Sequence, residues 1–533
     1  MIRLHHHLWP FRCYCTGSVN GDQDVHPTTD VLGRPLGQHR AGQQQISQEG
    51  GRADAMGPLA FMSTIAALAP QRSSRRVAVI GGGSAGVVAA RYLRRAGHRP
   101  ELFEAGDSFG GVWADKPTNK VVYKNLQTNL PTVVMQSPDL DFPAGLPSYI
   151  TKRELGSYIE SYAREFGILP LSTFGATVTS VACVPADGAV DGDGEDRWAV
   201  KWTTRGGGAH SETFDAVLVA NGHYDAPYKP RLPGEEEWLA GDPSRQLVHS
   251  REYDDPESFR GQSVLVVGGR SSGVDIAREL RGVATWVYVL EKKCQQPVTH
   301  PGEAVTHVPL GTRLCGDGQL RVGDAPDAPP VDGPAIERVV LATGYVYDFA
   351  FLDEADCELR FKGQRHVTPL YQHMLHARKP SLGFVGITLA VPCPIPYFEC
   401  QAAWIAEHWA RPSNGAGALT SQAQREEWVA KRWAAVAERS QDMLLTSADG
   451  GSAWAYMREL LRDVHAVVPP TADADSWLAR PGWEERLTTV ESVYSDRGAR
   501  YPKLPWEDDR YRRCEYEVDW ASGTWSVDDS QAA

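Results

Sequence analysis

Residues 77–86 read Val-Ala-Val-Ile-Gly-Gly-Gly-Ser-Ala-Gly, four apolar residues that run into a glycine-rich turn. The apolar residues predict a buried strand, and the spacing Gly81-x-Gly83-x-x-Gly86 predicts a tight turn into a helix. Gly81 permits the turn, Gly83 lets the backbone approach a pyrophosphate, and Gly86 lets the helix pack closely on the strand. Because the N-terminus of that helix faces the phosphates, the stretch predicts a dinucleotide-binding unit.

An acidic residue and a second pair of glycines follow where such a unit needs them. Glu104 ends the next predicted strand, 18 residues after Gly86 (104 − 86 = 18), at the distance where an acid binds a ribose hydroxyl. The segment Gly110-Gly111-Val112-Trp113 sets two glycines beside a large ring, which suits a backbone that passes close to a flat ligand. The alternatives are a glycine turn that binds nothing and a loop around a core tryptophan.

A second strand and turn occur at 264–273, which read Val-Leu-Val-Val-Gly-Gly-Arg-Ser-Ser-Gly. Arg270 stands where the fingerprint has its middle glycine, so a pyrophosphate can approach only if the arginine side chain turns toward a phosphate. The alternative is a degenerate turn that binds no nucleotide. Two such turns predict an α/β fold with two Rossmann-like dinucleotide-binding domains, an arrangement that passes a hydride from a nicotinamide to a flavin.

The composition is that of an ordinary soluble protein, with 533 residues of which 42% are hydrophobic and 23% charged. The formal net charge of −13 argues against nucleic acid and anionic membranes as main partners. No apolar run approaches the roughly 18 residues of a membrane helix, so no membrane anchor is expected. The nine cysteines include no Cys-x-x-Cys, which favours a reducing, cytoplasmic location and argues against a dithiol reductase.

The pattern along the chain divides it into a leader and two domains. Residues 1–74 predict a disordered leader or an over-long gene model, with organelle targeting as a weaker interpretation, and no metal site is expected from His5-His6-His7. Residues 75–226 and 335–533 form the first predicted domain, and residues 227–334 form the second, inserted into the first. Apolar residues at helical spacing predict helices near 85–96, 273–281, 402–410, 423–437 and 453–461.

Nine stretches between about residues 76 and 405 resemble the flavin-containing monooxygenases (class B flavoprotein monooxygenases), in particular yeast- and plant-like members. In order they are GGGSAG at 81–86, the strand end at Glu104, GGVW at 110–113, YKNLQTNLP at 123–131, FP at 142–143, VANGHY at 219–224, GGRSSG at 268–273, LATGY at 341–345 and PYFECQA at 396–402. The resemblance implies an N,N-dimethylaniline monooxygenase-like oxidoreductase with an NAD(P)-binding domain inserted into an FAD-binding domain. Such an enzyme forms a C4a-hydroperoxyflavin from NADPH and O2 and oxygenates a nucleophilic nitrogen or sulfur atom of a small molecule.

The resemblance assigns cofactor-binding roles to both turns and their neighbouring segments. On the FAD side the predicted residues are Gly81, Gly83, Ser84, Ala85, Gly86, Glu104, Gly111, Val112, Trp113, Thr128, Asn129 and Gln401. On the nicotinamide side they are Gly268, Arg270, Ser271, Ser272, Gly273, Lys292 and Lys293. Asn129 is also the predicted catalytic residue, because an amide donates and accepts hydrogen bonds near the reacting oxygen without supplying a proton. Its alternative role is to form a turn before Leu130 and Pro131.

The charges after the second strand leave the choice of coenzyme open. Glu291 lies 18 residues after Gly273 (291 − 273 = 18), and an acid there favours an unphosphorylated ribose. Lys292 and Lys293 follow at once, where the family places a basic residue for a 2′-phosphate. The resemblance favours NADPH, and NADH stays an alternative.

Two rival functions remain. A Baeyer–Villiger monooxygenase would insert oxygen next to a ketone; Asp254 favours it, whereas Tyr253 and the Thr128-Asn129 pair oppose it. A flavin-binding protein without efficient turnover is supported by the irregular second turn.

His249 is either part of the site or a satisfied histidine between the domains. A homodimer is compatible with the sequence. The sequence does not identify the substrate.

Overall fold

The structure is a computed structural model that describes residues 72–115, 121–184, 196–300, 302–323, 325, 328–361, 366–389, 391–412, 418–436, 452–501 and 509–532. The prediction of a leader over 1–74, apart from its last three residues, and the run His5-His6-His7 lie outside these ranges.

The chain forms short strands throughout and longer helices mainly in its last third. The strands are β1 (Arg76–Ile80), β2 (Arg99–Glu104), β3 (Ser172–Phe174), β4 (Ala176–Val184), β5 (Arg197–Thr204), β6 (Ala209–Phe214), β7 (Ala216–Val219), β8 (Ala226–Pro227), β9 (Gln246–His249), β10 (Ser263–Val267), β11 (Trp286–Leu290), β12 (Val298–His300), β13 (Val305–Val308), β14 (Thr312–Leu314), β15 (Leu320–Val322), β16 (Arg338–Leu341), β17 (Tyr345–Val346), β18 (Leu370–Tyr371), β19 (Leu375–His376), β20 (Leu382–Phe384), β21 (Glu515–Asp519) and β22 (Thr524–Asp528). The helices are α1 (Ser84–Arg95), α2 (Thr132–Met135), α3 (Lys152–Glu165), α4 (Glu235–Gly241), α5 (Ser271–Leu280), α6 (Pro394–Trp409), α7 (Gln422–Val436), α8 (Ala453–Val467) and α9 (Trp483–Arg500).

Seven strands form the first sheet, in the order β18-β19-β20-β7-β1-β2-β3. At its centre β1 runs parallel to β2 and β7, with Val79 opposite Leu102 on one side and Leu218 on the other. Val79 packs into the core formed with α1 and α6, whereas its neighbours Ala78 and Ile80 face the core formed with β4, β5 and β6. After Arg76 the strand is apolar because both of its faces are buried.

Six strands form the second sheet, in the order β12-β13-β11-β10-β16-β9. Its centre repeats the first, since β10 runs parallel to β11 and β16, with Val266 opposite Val289 and Val340. The parallel centres of the two sheets confirm the predicted α/β fold with two Rossmann-like units. Because β16 belongs to the second sheet, that sheet extends past the predicted boundary at 335, as far as Leu341.

The two crossings between the sheets lie side by side. The outgoing crossing contains β8 and the returning one contains β17, and these two strands pair antiparallel, with Pro227 opposite Tyr345. The N–H of Tyr228 donates to the carbonyl of Gly344 at 2.9 Å. The second unit is therefore an insertion whose entry and exit are bonded to each other.

The last third of the chain packs onto the first unit. Three predicted helices are confirmed as α6, α7 and α8, with α6 beginning earlier than predicted, at Pro394. The antiparallel ribbon of β21 and β22 was not predicted. No helix in the described part of the chain is both long enough and apolar enough to cross a membrane.

Candidate cofactor sites

The first glycine turn excludes side chains at two of its glycines. Gly81 has φ +107°, and a Cβ there would lie 2.6 Å from the carbonyl oxygen of Ala220. A Cβ on Gly86 would overlap the carbonyl oxygen of Gly81. Helix α1 begins at Ser84 with Gly83 as its N-cap, and no described side chain caps it. Its first N–H groups are therefore open to an anionic ligand.

Glu104 lies beside this turn at the end of β2. Its carboxylate accepts hydrogen bonds from the N–H of Gly82 at 2.7 Å and from the N–H of Gly106 at 2.6 Å. The acid is thus held at the edge of the turn by two backbone donors, at the place its spacing from Gly86 indicated.

The segment with Trp113 forms the opposite wall of the turn. A Cβ on Gly111, which has φ +56°, would lie 3.0 Å from the Cα of Gly83. The N–H of Gly110 donates to the carbonyl of Gly82 at 3.1 Å, and Gly111–Trp113 form a single 3₁₀ turn that includes Val112. Two stretches of backbone therefore face each other with no side chain between them.

Helix α3 links this wall to the segment with Asn129. A Cβ on Gly156 would lie 2.5 Å from the carbonyl oxygen of Trp113, so α3 packs directly on the 3₁₀ turn. Just before α3, the N–H of Thr128 donates to the carbonyl of Ile150 at 2.8 Å, and the N–H of Ile150 donates to Oγ1 of Thr128 at 3.1 Å. The hydroxyl of Thr128 therefore stabilises the loop by bonding to backbone, whereas Asn129 is exposed.

Gln401 supports the first turn from behind. It is fully buried on α6, where its Oε1 accepts from the N–H of Gly386 at 3.1 Å and its Nε2 donates to the hydroxyl of Tyr456 at 3.1 Å. Gly386 has φ +77°, and a Cβ there would lie 3.0 Å from the Cβ of Ala85, at the start of α1. The Gln401 amide thus contacts Gly386, and Gly386 in turn lies against Ala85 of the first turn, so Gln401 supports the turn without lining it.

The second glycine turn is built like the first. Gly268 has φ +120°, and a Cβ there would overlap the carbonyl oxygen of Ala342, while a Cβ on Gly273 would overlap the carbonyl oxygen of Gly268. A Cβ on Gly269 would lie 2.5 Å from the carboxylate of Glu291. Despite its irregular sequence, the second turn therefore repeats the backbone geometry of the first.

Positively charged side chains lie near this second turn. Arg270, Ser271 and Ser272 are exposed at the start of α5, and Lys292 follows β11. The pKa of Lys292 is lowered, first by partial burial and then by the positive charge of Arg270. Arg270 and Lys292 therefore lie close enough for their charges to repel, and Lys293, the next residue, is exposed.

Glu291 has a protein partner of its own. Its carboxylate lies 2.8 Å from Nδ1 of His307, and this hydrogen bond is the main reason why its pKa is lowered. Glu291 is therefore an ionised acid tied to the neighbouring strand β13.

His249 is held by backbone groups at both ring nitrogens. Its Nε2 lies 3.0 Å from the carbonyl oxygen of Gly344, and its Nδ1 accepts from the N–H of Arg251 at 3.1 Å. Burial lowers its pKa. The residue is thus a neutral histidine between the second sheet and the returning crossing, in agreement with the second of its two predicted roles.

Three residues to which the sequence assigned no role connect the stretch 123–131 to the helix of the second turn. Asp275, on α5, accepts from the hydroxyl of Tyr123 at 3.0 Å and from Nη2 of Arg512 at 2.8 Å. Tyr123 belongs to the stretch that contains Asn129, whereas Arg512 lies near the C-terminus, where no motif was found. A long-range pair of this kind leaves no periodic signal in the sequence.

The donors at both turns suit phosphates and ribose rather than a metal ion. Uncapped helix N-termini and glycine backbone form the cradle of each turn, and a side chain would fill that cradle. Among the described residues, no three His, Cys, Asp or Glu side chains group in a way that could hold a metal ion. The residues present therefore fit two dinucleotides.

Comparisons with known proteins agree with this arrangement. A family described as "FMO-like: Flavin-binding monooxygenase-like" matches residues 74–296. The chain is 33% identical over 369 residues to "Flavin-containing monooxygenase FMO GS-OX-like 2" from Arabidopsis thaliana, covering 63% of this chain and 73% of that protein. It is 32% identical over 400 residues to "Flavin-containing monooxygenase FMO GS-OX-like 7" from the same plant, covering 68% and 78%.

A solved structure extends the likeness to more of the chain. The S-allyl-L-cysteine S-oxygenase from Allium sativum superposes with a TM-score of 0.67 at 27% identity, covering 85% of this chain and 97% of that one. The two glycine turns, their sheets and these relatives all lead to one conclusion: the chain belongs to the flavin-containing monooxygenase family and is an oxidoreductase with FAD and NADP as its cofactors.

Proposed function

We propose that this enzyme oxygenates a nucleophilic nitrogen or sulfur atom of a small molecule, using FAD, NADPH and O2. The observation that carries the proposal is the hydrogen bond between Tyr123 and Asp275, because it joins the segment with Asn129 to the helix of the second turn. The 27% identity to an S-oxygenase supports sulfur as one acceptor atom.

In this proposal each sheet holds one cofactor. The first sheet, with residues 75–226 and the chain after the second sheet, binds FAD, and the inserted unit from 227 onward binds NADPH. A homodimeric assembly and a cytoplasmic location remain predictions of the sequence.

The residues around the first turn bind and orient the flavin nucleotide. FAD, once reduced by NADPH, supplies the electrons that activate O2. The N-terminus of α1, including Ser84 and Ala85, holds the pyrophosphate, Glu104 binds the ribose, and the backbone at Gly111 flanks the ligand. Asn129 presents an exposed amide that orients the reacting groups without adding an acidic proton.

His249 is not proposed as an acid or base. Its two nitrogens are used by backbone groups, and its lowered pKa keeps it neutral near pH 7. This leaves oxygen transfer to the cofactor, and the protein's task is to hold the groups in place and exclude water.

The charges at the second turn support NADPH rather than NADH. Arg270 and Lys292 lie close enough for their charges to repel and would both approach a 2′-phosphate, and the exposed Ser271 and Ser272 would donate to the pyrophosphate. Glu291, the acid that would favour an unphosphorylated ribose, lies beside Gly269, and its carboxylate is also hydrogen-bonded to His307.

The test is anaerobic reduction of the purified protein followed by turnover in air. The protein is expected to be yellow, to bleach on addition of NADPH faster than with NADH, and then to convert thioanisole or N,N-dimethylaniline to an oxide with consumption of O2. Incorporation of one atom of ¹⁸O from ¹⁸O2 into the oxide identifies a monooxygenase.

Other results would contradict the proposal. A protein that converts cyclohexanone to a lactone, and neither probe to an oxide, is a Baeyer–Villiger enzyme. A colourless protein, or a yellow one that neither coenzyme bleaches, would be a flavin-binding relative without turnover.

A further inference from the structure

The C-terminal part of the chain reaches the loop that carries Asn129. The 3₁₀ turn Arg510–Arg513 follows the last long helix, α9. Two arginines from this region, Arg497 on α9 and Arg512 on the turn, contact the loop 127–129, and we call them the arginine clamp. The described structure therefore connects a region without any sequence motif to the predicted catalytic residue.

The arginine clamp binds three consecutive carbonyl groups of the loop. Arg512 donates from Nη2 to the carbonyl of Gln127 at 3.3 Å and from Nε to the carbonyl of Thr128 at 3.2 Å. Arg497 donates from Nη1 to the carbonyl of Asn129 at 2.7 Å. Because all three contacts are made to backbone, they fix the path of the loop and leave the Asn129 side chain to meet a ligand.

The same Arg512 is paired with the coenzyme helix. Its guanidinium donates to both carboxylate oxygens of Asp275 on α5, at 3.3 and 2.8 Å. The two side chains are only 8% and 13% exposed, so the pair is largely shielded from water. Asp275 lies two residues after Gly273 of the second turn, so Arg512 joins the coenzyme helix to the loop.

Asp275 would keep other partners if Arg512 were removed. The hydroxyl of Tyr123 donates to it at 3.0 Å and Arg278 at 2.9 Å. A variant at Arg512 therefore leaves no isolated buried charge, and we expect it to fold.

We propose that Arg512 and Arg497 are positioning residues that hold the Asn129 loop at a fixed place relative to the NADPH-binding helix. The inference rests on the proposed function for the role of Asn129, but the mechanical link itself does not. When Arg512 is removed, the loop loses two of its three bonds to the arginine clamp and keeps the link to α5 through Tyr123, so Asn129 is held less firmly. The bound coenzyme then fits less well, and reducing equivalents are lost as H2O2 instead of reaching the substrate.

The test compares Arg512→Met with Arg513→Met. Arg513 is the neighbouring arginine; its side chain is 57% exposed and lies 4.0 Å from Asp509, so it is a matched control. Hydrogen–deuterium exchange on the protein without added nicotinamide should show at least about tenfold faster exchange around Thr128 in Arg512→Met and no change in Arg513→Met.

Kinetics then separate positioning from simple stability. With thioanisole as the probe, the fraction of NADPH oxidation that yields H2O2 should rise at least about threefold in Arg512→Met. The Kd for NADP⁺ should rise about fivefold. The rate of anaerobic flavin reduction at saturating NADPH should change less than about twofold. The H2O2 fraction and the Kd for NADP⁺ of Arg512→Lys should lie between those of the wild type and Arg512→Met. Lysine keeps a positive charge for Asp275 but cannot bond Asp275 and both loop carbonyls at once.

Two results would overturn the inference. One is unchanged exchange around Thr128; the other is faster exchange with wild-type peroxide yield and wild-type Kd for NADP⁺, which would make the clamp purely structural. If the wild-type protein oxidises no probe at all, the proposed function fails, and the clamp is then decided by exchange and the Kd for NADP⁺ alone, where unchanged values overturn it.

Discussion

The imidazole of His307 lies 2.8 Å from the carboxylate of Glu291, at the place where the first unit has Glu104 bonded to the N–H of Gly82. The two units thus share a backbone plan but use the acid after the second strand differently. In both units the acid lies beside the turn, against Gly82 in the first and Gly269 in the second, but the second acid is also hydrogen-bonded to a histidine on the neighbouring strand.

Coenzyme choice should therefore depend on the cations rather than on Glu291. Lys292→Ala and Arg270→Ala should each raise the KM for NADPH about tenfold or more, since a charge-assisted contact contributes about 1.5–3 kcal/mol. The KM for NADH should change less than about twofold. Steady-state kinetics with both coenzymes checks this, with Arg260→Ala as a control because Arg260 is exposed and paired with Glu257. An equal rise for both coenzymes would refute a 2′-phosphate site.

Alanine at the last glycine of each turn, Gly86 or Gly273, should weaken the binding of one cofactor and spare the other. A methyl group on Gly86 or Gly273 would overlap the carbonyl that starts its own turn, which costs at least about 1–3 kcal/mol and distorts the cradle. Gly86→Ala should yield a protein depleted of FAD, whereas Gly273→Ala should remain yellow but bleach poorly with NADPH. The control is Gly498→Ala, where the added methyl meets open space. Normal flavin content in Gly86→Ala would contradict the assignment of the first turn.

Gln401→Ala should weaken FAD binding although the side chain lies behind the groove. The change removes the acceptor for the N–H of Gly386, leaving that buried donor unpaired at a cost of about 1–3 kcal/mol, and it removes one of two partners of the Tyr456 hydroxyl, which still donates to the carbonyl of Gln372 at 2.7 Å. Thermal melting with and without added FAD measures the effect. We expect a lower Tm in both states and a smaller rise in Tm on adding FAD than in the wild type. An unchanged rise would mean that Gly386 keeps its place without Gln401.

Arg91 should be among the costliest charged residues to remove. It is buried on α1, where it contacts Asp139 at 2.7 Å and Glu399 at 3.1 Å. Arg91→Met leaves the buried Glu399 without a cation and leaves Asp139 only the more distant Arg480, at 3.6 Å, so the free energy of unfolding should fall by about 3–5 kcal/mol. Arg95→Met, on the exposed side of the same helix, breaks only a pair with Asp475 and should cost about 0–1 kcal/mol. Similar urea midpoints for the two variants would contradict this account.

Buried histidines should make the fold sensitive to acid. Burial lowers the pKa of His408 to about 3, against about 6.5 in the unfolded chain. The unfolded state therefore binds the proton first as the pH falls through 6.5, and stability is lost below that pH. Between pH 6.5 and 5 this residue alone should remove about 2 kcal/mol from the free energy of unfolding.

A glutamine at this position tests the sign of that effect. In His408→Gln the difference in unfolding free energy between pH 7 and pH 5 should shrink by about 2 kcal/mol, even if the variant is less stable at both. His210→Gln, at an exposed position, should keep the wild-type difference. A difference that stays the same in His408→Gln would show that His408 does not titrate with unfolding.

The sequence was sufficient for the features that repeat locally. The strand and turn before α1, the strand and turn before α5, and the spacing of Glu104 and Glu291 all follow from short-range rules, because a tight turn into a helix constrains the residues within it. The pair of turns predicts two dinucleotides, and the resemblance to the flavin-containing monooxygenases implies that they are FAD and NADPH.

The features that were missed join residues far apart in the chain. Arg512 and Asp275 are separated by 237 positions, and nothing near either one indicates the other. Gln401 stands in a recognisable motif, but its position behind Gly386 depends on how α6 packs against α1. The extension of the second sheet to Leu341 likewise depends on which neighbour β16 pairs with.

The paired crossings β8 and β17 make the inserted unit topologically detachable. All seven strands of the first sheet come from outside residues 228–344, and the chain leaves and re-enters at two residues that are partners in one ribbon, Pro227 and Tyr345. A short turn could join those two residues directly without crossing any other part of the chain. The architecture is thus a complete flavin-binding scaffold into which a second nucleotide-binding module is spliced at one point of its surface.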